Sequence, residues 1–156
     1  MGSYSNQGII YTNSTYNCPA PEAISTECDQ ALRNAISKVF PYSATLLCLW
    51  HGNKNIQQHY KPNFTSRAAY DNFFQAWLGI VRSATIPVYE AQLLQFVTEY
   101  SATPEYLACI QYIQSTWLNP GRVESLVQAW TNNYIHFGIT VTSRLVYIIL
   151  YQSLHS

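Results

Sequence analysis

Charged residues are scarce in this chain of 156 residues, and neither sign is in excess. They make up 10% of the sequence, and the formal net charge at pH 7 is zero. Soluble domains usually carry about a quarter charged residues. Because no positive excess is present, the chain has no bulk electrostatic attraction for nucleic acid, which argues against stand-alone DNA binding.

Glycine and the common catalytic motifs are also scarce. The six glycines are not clustered, so no phosphate-binding loop can be recognised. There is no Gly-x-Ser-x-Gly motif, and the four histidines and four cysteines follow no order that suggests a catalytic triad. These absences argue against nucleotide-binding enzymes of the phosphate-loop type and against serine or cysteine hydrolases.

Secretion and membrane signals are missing as well. The four cysteines, at positions 18, 28, 48 and 109, have no framework spacing, which favours reduced thiols over disulfides. The N-terminal residues lack the basic and apolar parts of a signal peptide. The most apolar run, residues 145–150, is far shorter than the roughly 20 residues that span a bilayer. We expect a soluble, intracellular protein without membrane contact.

Aromatic residues, by contrast, are abundant and recur at helical spacing. They reach 15% of the sequence, and thirteen of them are tyrosine. Apolar stripes predict helices over residues 66–83, from Pro87 to residue 100, from Pro104 to Trp117, and over residues 123–130. A further apolar block covers residues 142–154. A surface poor in charge and rich in aromatics suggests that a partner covers it, or that the chain is a piece of a larger protein.

The N-terminal third has a different pattern. Residues 1–24 are rich in Ser, Asn, Tyr and Pro and predict a poorly ordered lead-in. Thr26 is a candidate N-cap of a helix that ends at Phe40-Pro41. Residues 44–49 predict a short buried strand and residues 53–60 another helix. The apolar face predicted for the first helix consists of Ala31, Leu32, Ala35, Ile36 and Val39.

Two acids near the start of that first helix form the first candidate site. Glu27 and Asp29 could hold Mg²⁺ for phosphoryl transfer, as clustered carboxylates do in two-metal enzymes. Such a centre needs at least three converging carboxylates, and the other aspartate, Asp71, lies on a helix without a partner motif. The pattern alone favours the simpler interpretation that both acids interact with the helix dipole.

A cysteine and a histidine three residues apart form the second candidate site. Cys48 and His51 could both reach one Zn²⁺ ion, but a closed zinc site needs four ligands. Cys28 and His59 could contribute, although their spacing does not indicate it. A buried cysteine beside an ordinary histidine is the alternative interpretation.

Several short motifs follow one another in the N-terminal half of the chain. They are Thr26-Glu27-Cys28-Asp29-Gln30-Ala31-Leu32, Asn34-Ala35-Ile36, Phe40-Pro41, Leu47-Cys48-Leu49-Trp50-His51 and Lys54-Asn55. In this order they resemble the transposase domain of Mutator-like elements (MULE transposases), which has a Thr-Asp-x-Asp/Glu-x-Ala-Leu segment, then Asn-Ala-Ile, Phe-Pro, Leu-Cys-x-Trp-His and Lys-Asn. The likeness continues through Tyr112 to Pro120, Val127 to Asn132, His136 to Gly138 and Thr142-Ser143-Arg144.

The resemblance implies a nuclear transposase with an α/β, RNase H-like core and a helical insertion. In that family three acidic residues bind Mg²⁺, and the enzyme cuts transposon-end DNA. Relative to that pattern, the first catalytic aspartate would precede this chain. Glu27 replaces the second aspartate, Asp29 falls on a position that is not the usual metal ligand, and Val146 replaces the third acid. We therefore expect residues 25–156 to be a partial, inactive DDE-type transposase domain, mostly α with one or two short strands.

Two alternatives remain open. The chain could be a transposase-derived helical module whose exposed apolar surface binds a partner protein. It could also be a small metal-binding protein centred on Cys48 and His51.

Overall fold

The computed structural model describes residues 20–134, and this part of the chain begins with a parallel pair of strands. Strand β1 (Ala23–Thr26) and strand β2 (Ala44–Leu47) are connected by helix α1 (Gln30–Val39). In the register, Ala23 pairs with Ala44 and Thr26 with Leu47, so both strands end at the same edge. Parallel strands need such a crossover connection, and a helix usually supplies it.

The start of α1 differs from the prediction. Thr26 is not the N-cap: it ends β1, and its Oγ1 donates to the carbonyl oxygen of Glu27 at 2.6 Å. Asp29 is the N-cap, and its Oδ1 accepts a hydrogen bond from the Leu32 N–H at 2.7 Å. Glu27 and Asp29 therefore precede the helix instead of lying in its first turn. The lead-in predicted for residues 1–24 is also too long, because β1 already begins at Ala23.

Helix α1 ends before Pro41, as predicted, but its apolar face is largely uncovered within residues 20–134. Leu32 is 42% exposed and Val39 is 55% exposed, and no residue of α1 is buried. Ala31 and Ala35 are exposed as well. The helical periodicity therefore predicts the helix correctly but not the burial that normally accompanies it.

The boundary between the second strand and the second helix also differs from the prediction. Helix α2 spans Leu49–Tyr60 and begins four residues earlier than expected, with Cys48 as its N-cap. The apolar residues continue from the buried strand into the helix without a turn residue between them. Periodicity cannot divide a run of this kind.

The remaining helices follow the predicted segments closely. Helix α3 spans Arg67–Val81, α4 spans Ile86–Tyr100 and α5 spans Pro104–Tyr112. A 3₁₀ turn, Lys61–Asn63, precedes α3, and a π-helical turn, Ile113–Trp117, extends α5. The helix predicted for residues 123–130 is divided into α6 (Val123–Leu126) and α7 (Gln128–Thr131). Val127 between them is fully buried with an extended backbone, which interrupts the helix.

The core of residues 20–134 is an aromatic-rich cluster built almost entirely by the helices. Trp77, Phe73 and Phe96 are at most 1% exposed. The ring centroids of Phe73 and Phe96 are 5.0 Å apart, a separation typical of favourable aromatic pairs. Among the buried residues of the cluster, Leu47 is the one that the β1–α1–β2 unit supplies. The described chain is therefore mostly helical with two short strands, which confirms the coarse fold prediction.

The described cysteines and helices can be compared with the sequence-based expectations about disulfides and membrane spans. Cys28 and Cys109 are free thiols. Within residues 20–134, no helix is both long and apolar enough to cross a membrane. Cys18, the apolar block at residues 142–154 and Val146 within it lie outside the described residues.

Candidate functional site

The two sequence motifs meet at the edge where both strands end. Glu27 directly follows β1, and Cys48 directly follows β2. The Cys48 N–H donates to the carbonyl oxygen of Thr26 at 2.7 Å, which continues the ladder one step beyond the strands. Open parallel sheets bind ligands at the carboxyl ends of their strands. The geometry therefore places the acid and the cysteine at the edge where α/β proteins build their sites.

A small cleft lies beside this edge. Its volume is about 260 Å³, and it is lined by Ile24, Ser25, Thr26, Glu27, Leu32, Ile36 and His51. Two buried polar atoms, Ser25 Oγ and His51 Nδ1, have no hydrogen-bond partner. Unsatisfied buried polar atoms are uncommon and carry a free-energy cost. The cleft thus combines a carboxylate, an imidazole and a hydroxyl group with apolar walls.

The two predicted acids have different roles in the structure. Glu27 is exposed, and no hydrogen bond or ion pair within residues 20–134 holds its carboxylate. Asp29 uses its carboxylate to cap α1. The other aspartate, Asp71, lies on α3, where its Oδ2 is 3.5 Å from Nε of Arg67. Neither aspartate therefore joins Glu27 in a shared carboxylate cluster.

The donor groups do not fit the magnesium centre that the resemblance implies. Two-metal phosphoryl transfer requires several carboxylates that hold both ions. In the part of the chain that the structure describes, no group of three or more His, Cys, Asp or Glu side chains is arranged to hold a metal. Glu27 alone cannot supply such a centre, and the third family position, Val146, lies outside the described residues.

Cys48 and His51 lie on one turn at the start of α2. Cys48 is 1% exposed, and its carbonyl oxygen accepts a hydrogen bond from the His51 N–H at 3.1 Å. His59, on the same helix, is eight residues from His51, which corresponds to about 12 Å along the axis. Cys28 is half-buried and packs against the core cluster. Because His59 is too far away for one ion, these residues do not supply the four ligands of a closed zinc site.

Sequence reasoning missed Ser25 and the cleft itself. Ser25 lies in β1, a strand of only four residues. It was not predicted because the proline-rich composition around Pro21 indicates an irregular segment. The cleft arises from packing between β1, α1 and the start of α2, so no local pattern indicates it.

Comparisons of the chain with protein-family models, with curated proteins and with solved structures returned no match. The resemblance to Mutator-like transposases therefore depends on the ordered motifs of the sequence and remains a proposal. The RNase H-like fold, the transposase activity and the DNA partner that the resemblance implies are likewise proposals.

Proposed function

We propose that this chain is a diverged Mutator-like transposase catalytic domain that no longer cleaves DNA. The observation that supports this most directly is the position of Glu27 at the carboxyl end of β1, without a converging carboxylate in residues 20–134. By ancestry its partner is transposon-end DNA, its cofactor is Mg²⁺, and its location is the nucleus. These properties belong to the proposed ancestor, and the present chain need not retain them.

The loss of activity follows from the requirements of the chemistry. Two metal ions must stabilise both the attacking and the leaving oxygen, and their ligands must be positioned within about 0.5 Å. Glutamate at position 27 is one methylene longer than the aspartate of the family pattern, so it displaces its carboxylate from the expected position. Asp29 cannot substitute readily, because capping of α1 occupies its Oδ1. One misplaced carboxylate does not assemble a two-metal centre.

We expect no Mg²⁺- or Mn²⁺-dependent nicking of supercoiled plasmid that carries terminal-repeat DNA. The variant Glu27→Gln is expected to give the same fraction of nicked plasmid as the wild type. The measurement is the fraction of relaxed circle on a gel, with an active transposase as the positive control. The matched variant is Asp71→Asn, which removes an exposed acid that takes no part in the site. Nicking that the wild type and Asp71→Asn share but Glu27→Gln lacks would show that the centre is active.

A helical interaction module is the second candidate function, and the exposed face of α1 favours it. Leu32 and Val39 are both large, apolar and about half exposed, and Ala31 and Ala35 extend the same face. Exposed apolar patches on a soluble domain usually mark an interaction site. This face would bind an apolar surface of another protein chain. A second copy of the same chain presents an identical face, which makes it the first partner to test.

The double variant Leu32→Glu/Val39→Glu is expected to abolish self-association with a change in the free energy of unfolding of no more than about 0.5 kcal/mol, because exposed substitutions are usually near neutral. Sedimentation velocity over a range of concentrations measures the association, and urea denaturation measures the stability. Ser37→Glu/Asn34→Glu is the matched control, since it adds the same charge to exposed polar positions of α1. A double variant that unfolds would instead show that the face is buried in the whole chain.

A further inference from the structure

Arg33 on α1 and Arg122 at the start of α6 are two arginines without an acidic partner within residues 20–134. Nη2 of Arg33 donates to Ser125 Oγ at 3.3 Å, whereas Nη1 of Arg33 is buried without a hydrogen-bond partner. Arg122 is the N-cap residue of α6, and its Nη1 donates to the carbonyl oxygen of Thr116 at 2.7 Å. The Ser125 N–H donates to the Arg122 carbonyl oxygen at 2.9 Å, so Ser125 and Arg122 share one turn. Arg33 therefore contacts the turn that Arg122 begins.

Within residues 20–134, no carboxylate forms an ion pair with either arginine. All eight acidic residues of the chain lie within residues 20–134, and the ion pair that forms among them is Arg67 with Asp71. Burial lowers the pKa of Arg33, Cys28 partly offsets this effect, and the positive charge of Arg122 lowers the pKa further. Arg33 and Arg122 therefore repel each other without a counter-charge, which is unusual in a protein with so few charges.

An oxyanion beside the two arginines would offset their mutual repulsion. A buried guanidinium N–H without an acceptor is costly, and two like charges repel each other. The planar fork of arginine matches the geometry of phosphate oxygens, and a serine hydroxyl can supply a third donor. We propose that Arg33, Arg122 and Ser125 form a binding site for a phosphate-type oxyanion. This site is separate from the cleft at Glu27, so it does not depend on the proposed ancestry.

The test is a titration of the full chain with inorganic phosphate at constant ionic strength, with chloride as the balancing anion. Phosphate is expected to raise the Tm of the wild type, because a ligand that binds only the folded state stabilises it. Arg33→Gln and Arg122→Gln are expected to weaken phosphate binding by about tenfold or more, as the loss of a charge-assisted hydrogen bond implies. Arg67→Gln is the matched control, because it removes the same charge from an exposed position on α3.

The outcomes separate specific binding from general charge effects. A wild type that phosphate does not stabilise would overturn the proposal, as would equal losses in Arg67→Gln and Arg122→Gln. If Arg33→Gln does not fold, Arg122→Gln decides the question, since its side chain is partly exposed. Fluorescence anisotropy with a labelled oligonucleotide then identifies the source of the phosphate. Binding that inorganic phosphate competes away and Arg122→Gln weakens indicates a nucleic-acid backbone, whereas phosphate binding without oligonucleotide binding indicates a small anion.

Discussion

Replacing Trp77 with alanine is expected to lower the free energy of unfolding by about 3–5 kcal/mol, the usual cost of removing a fully buried aromatic side chain. Trp77 is 0% exposed and lies on α3 in the centre of the core. Its Nε1 donates to Asn53 Oδ1 at 2.8 Å, so it also ties α3 to α2. The alanine variant would leave a large cavity and a lost hydrogen bond. Urea denaturation followed by tyrosine fluorescence or far-UV circular dichroism measures the effect.

One further variant separates the hydrogen bond of Trp77 from its packing. Asn53→Ala keeps the indole ring but leaves its N–H without an acceptor, which costs about 1–3 kcal/mol. Trp50→Ala is the matched control, because Trp50 is 46% exposed and its loss opens no buried cavity. Folded domains are stable by only about 5–15 kcal/mol, so Trp77→Ala brings the chain close to unfolding. Equal effects of Trp77→Ala and Trp50→Ala would contradict the assignment of Trp77 to the core.

The second large effect is a loss of stability at high pH that originates in Cys109. Burial raises the pKa of the Cys109 thiol from 9.0 to about 12, since the thiolate is poorly solvated in the core. Below pH 9 the thiol is neutral in both the folded and the unfolded chain, so its contribution to stability is fully present. As the pH rises from 9 to 12, the unfolded chain ionises first, and this contribution is lost progressively. At 1.36 kcal/mol for each pKa unit, the loss is at most roughly 4 kcal/mol.

The variant Cys109→Ala removes this pH dependence. Its midpoint of alkaline unfolding is expected to lie at higher pH than that of the wild type, even though the small cavity lowers its stability at pH 7. Circular dichroism as a function of pH measures both midpoints. Cys28→Ala serves as the control, because that thiol is only half-buried. Identical alkaline midpoints for wild type and Cys109→Ala would show that another group controls the transition. Tyr100, whose pKa burial raises to about 12, would then be the next group to replace.

The helical part of the fold was predictable because its signals are local. Pro87 and Pro104 both lie in the first turn of a helix, and aromatic residues recur at helical spacing behind them. Strand β1 was not predictable in this way. It has four residues, and its pairing joins Ala23 to Ala44 across the whole of α1. With β1 unrecognised, Thr26 is the best local N-cap candidate, and this places the true cap, Asp29, in the first turn.

The candidate site shows the same division between local and non-local information. The three-residue spacing of Cys48 and His51 already indicates that they are close, but a predicted strand over residues 44–49 does not indicate the helical turn on which they lie. The cleft depends on packing between β1 and α1, and the contact of Arg33 with Ser125 joins residues 92 positions apart. Neither contact leaves a periodic or compositional signal. The exposure of Leu32 and Val39 likewise could not be predicted. An apolar stripe shows which face a helix could bury, but it does not show whether another element covers that face.

The β1–α1–β2 unit contributes little to the buried core. Substitutions in this unit are therefore tolerated more readily in evolution than substitutions in the helices. Leu47 is the buried core residue that the unit contributes, whereas the chain from α2 onward supplies the rest of the cluster. Selection for a folded chain therefore acts strongly on residues such as Phe73 and Trp117 and weakly on exposed positions such as Glu27. If the chain is the diverged transposase proposed above, cleavage is no longer under selection, and neutral drift can alter the acid while the helical body persists.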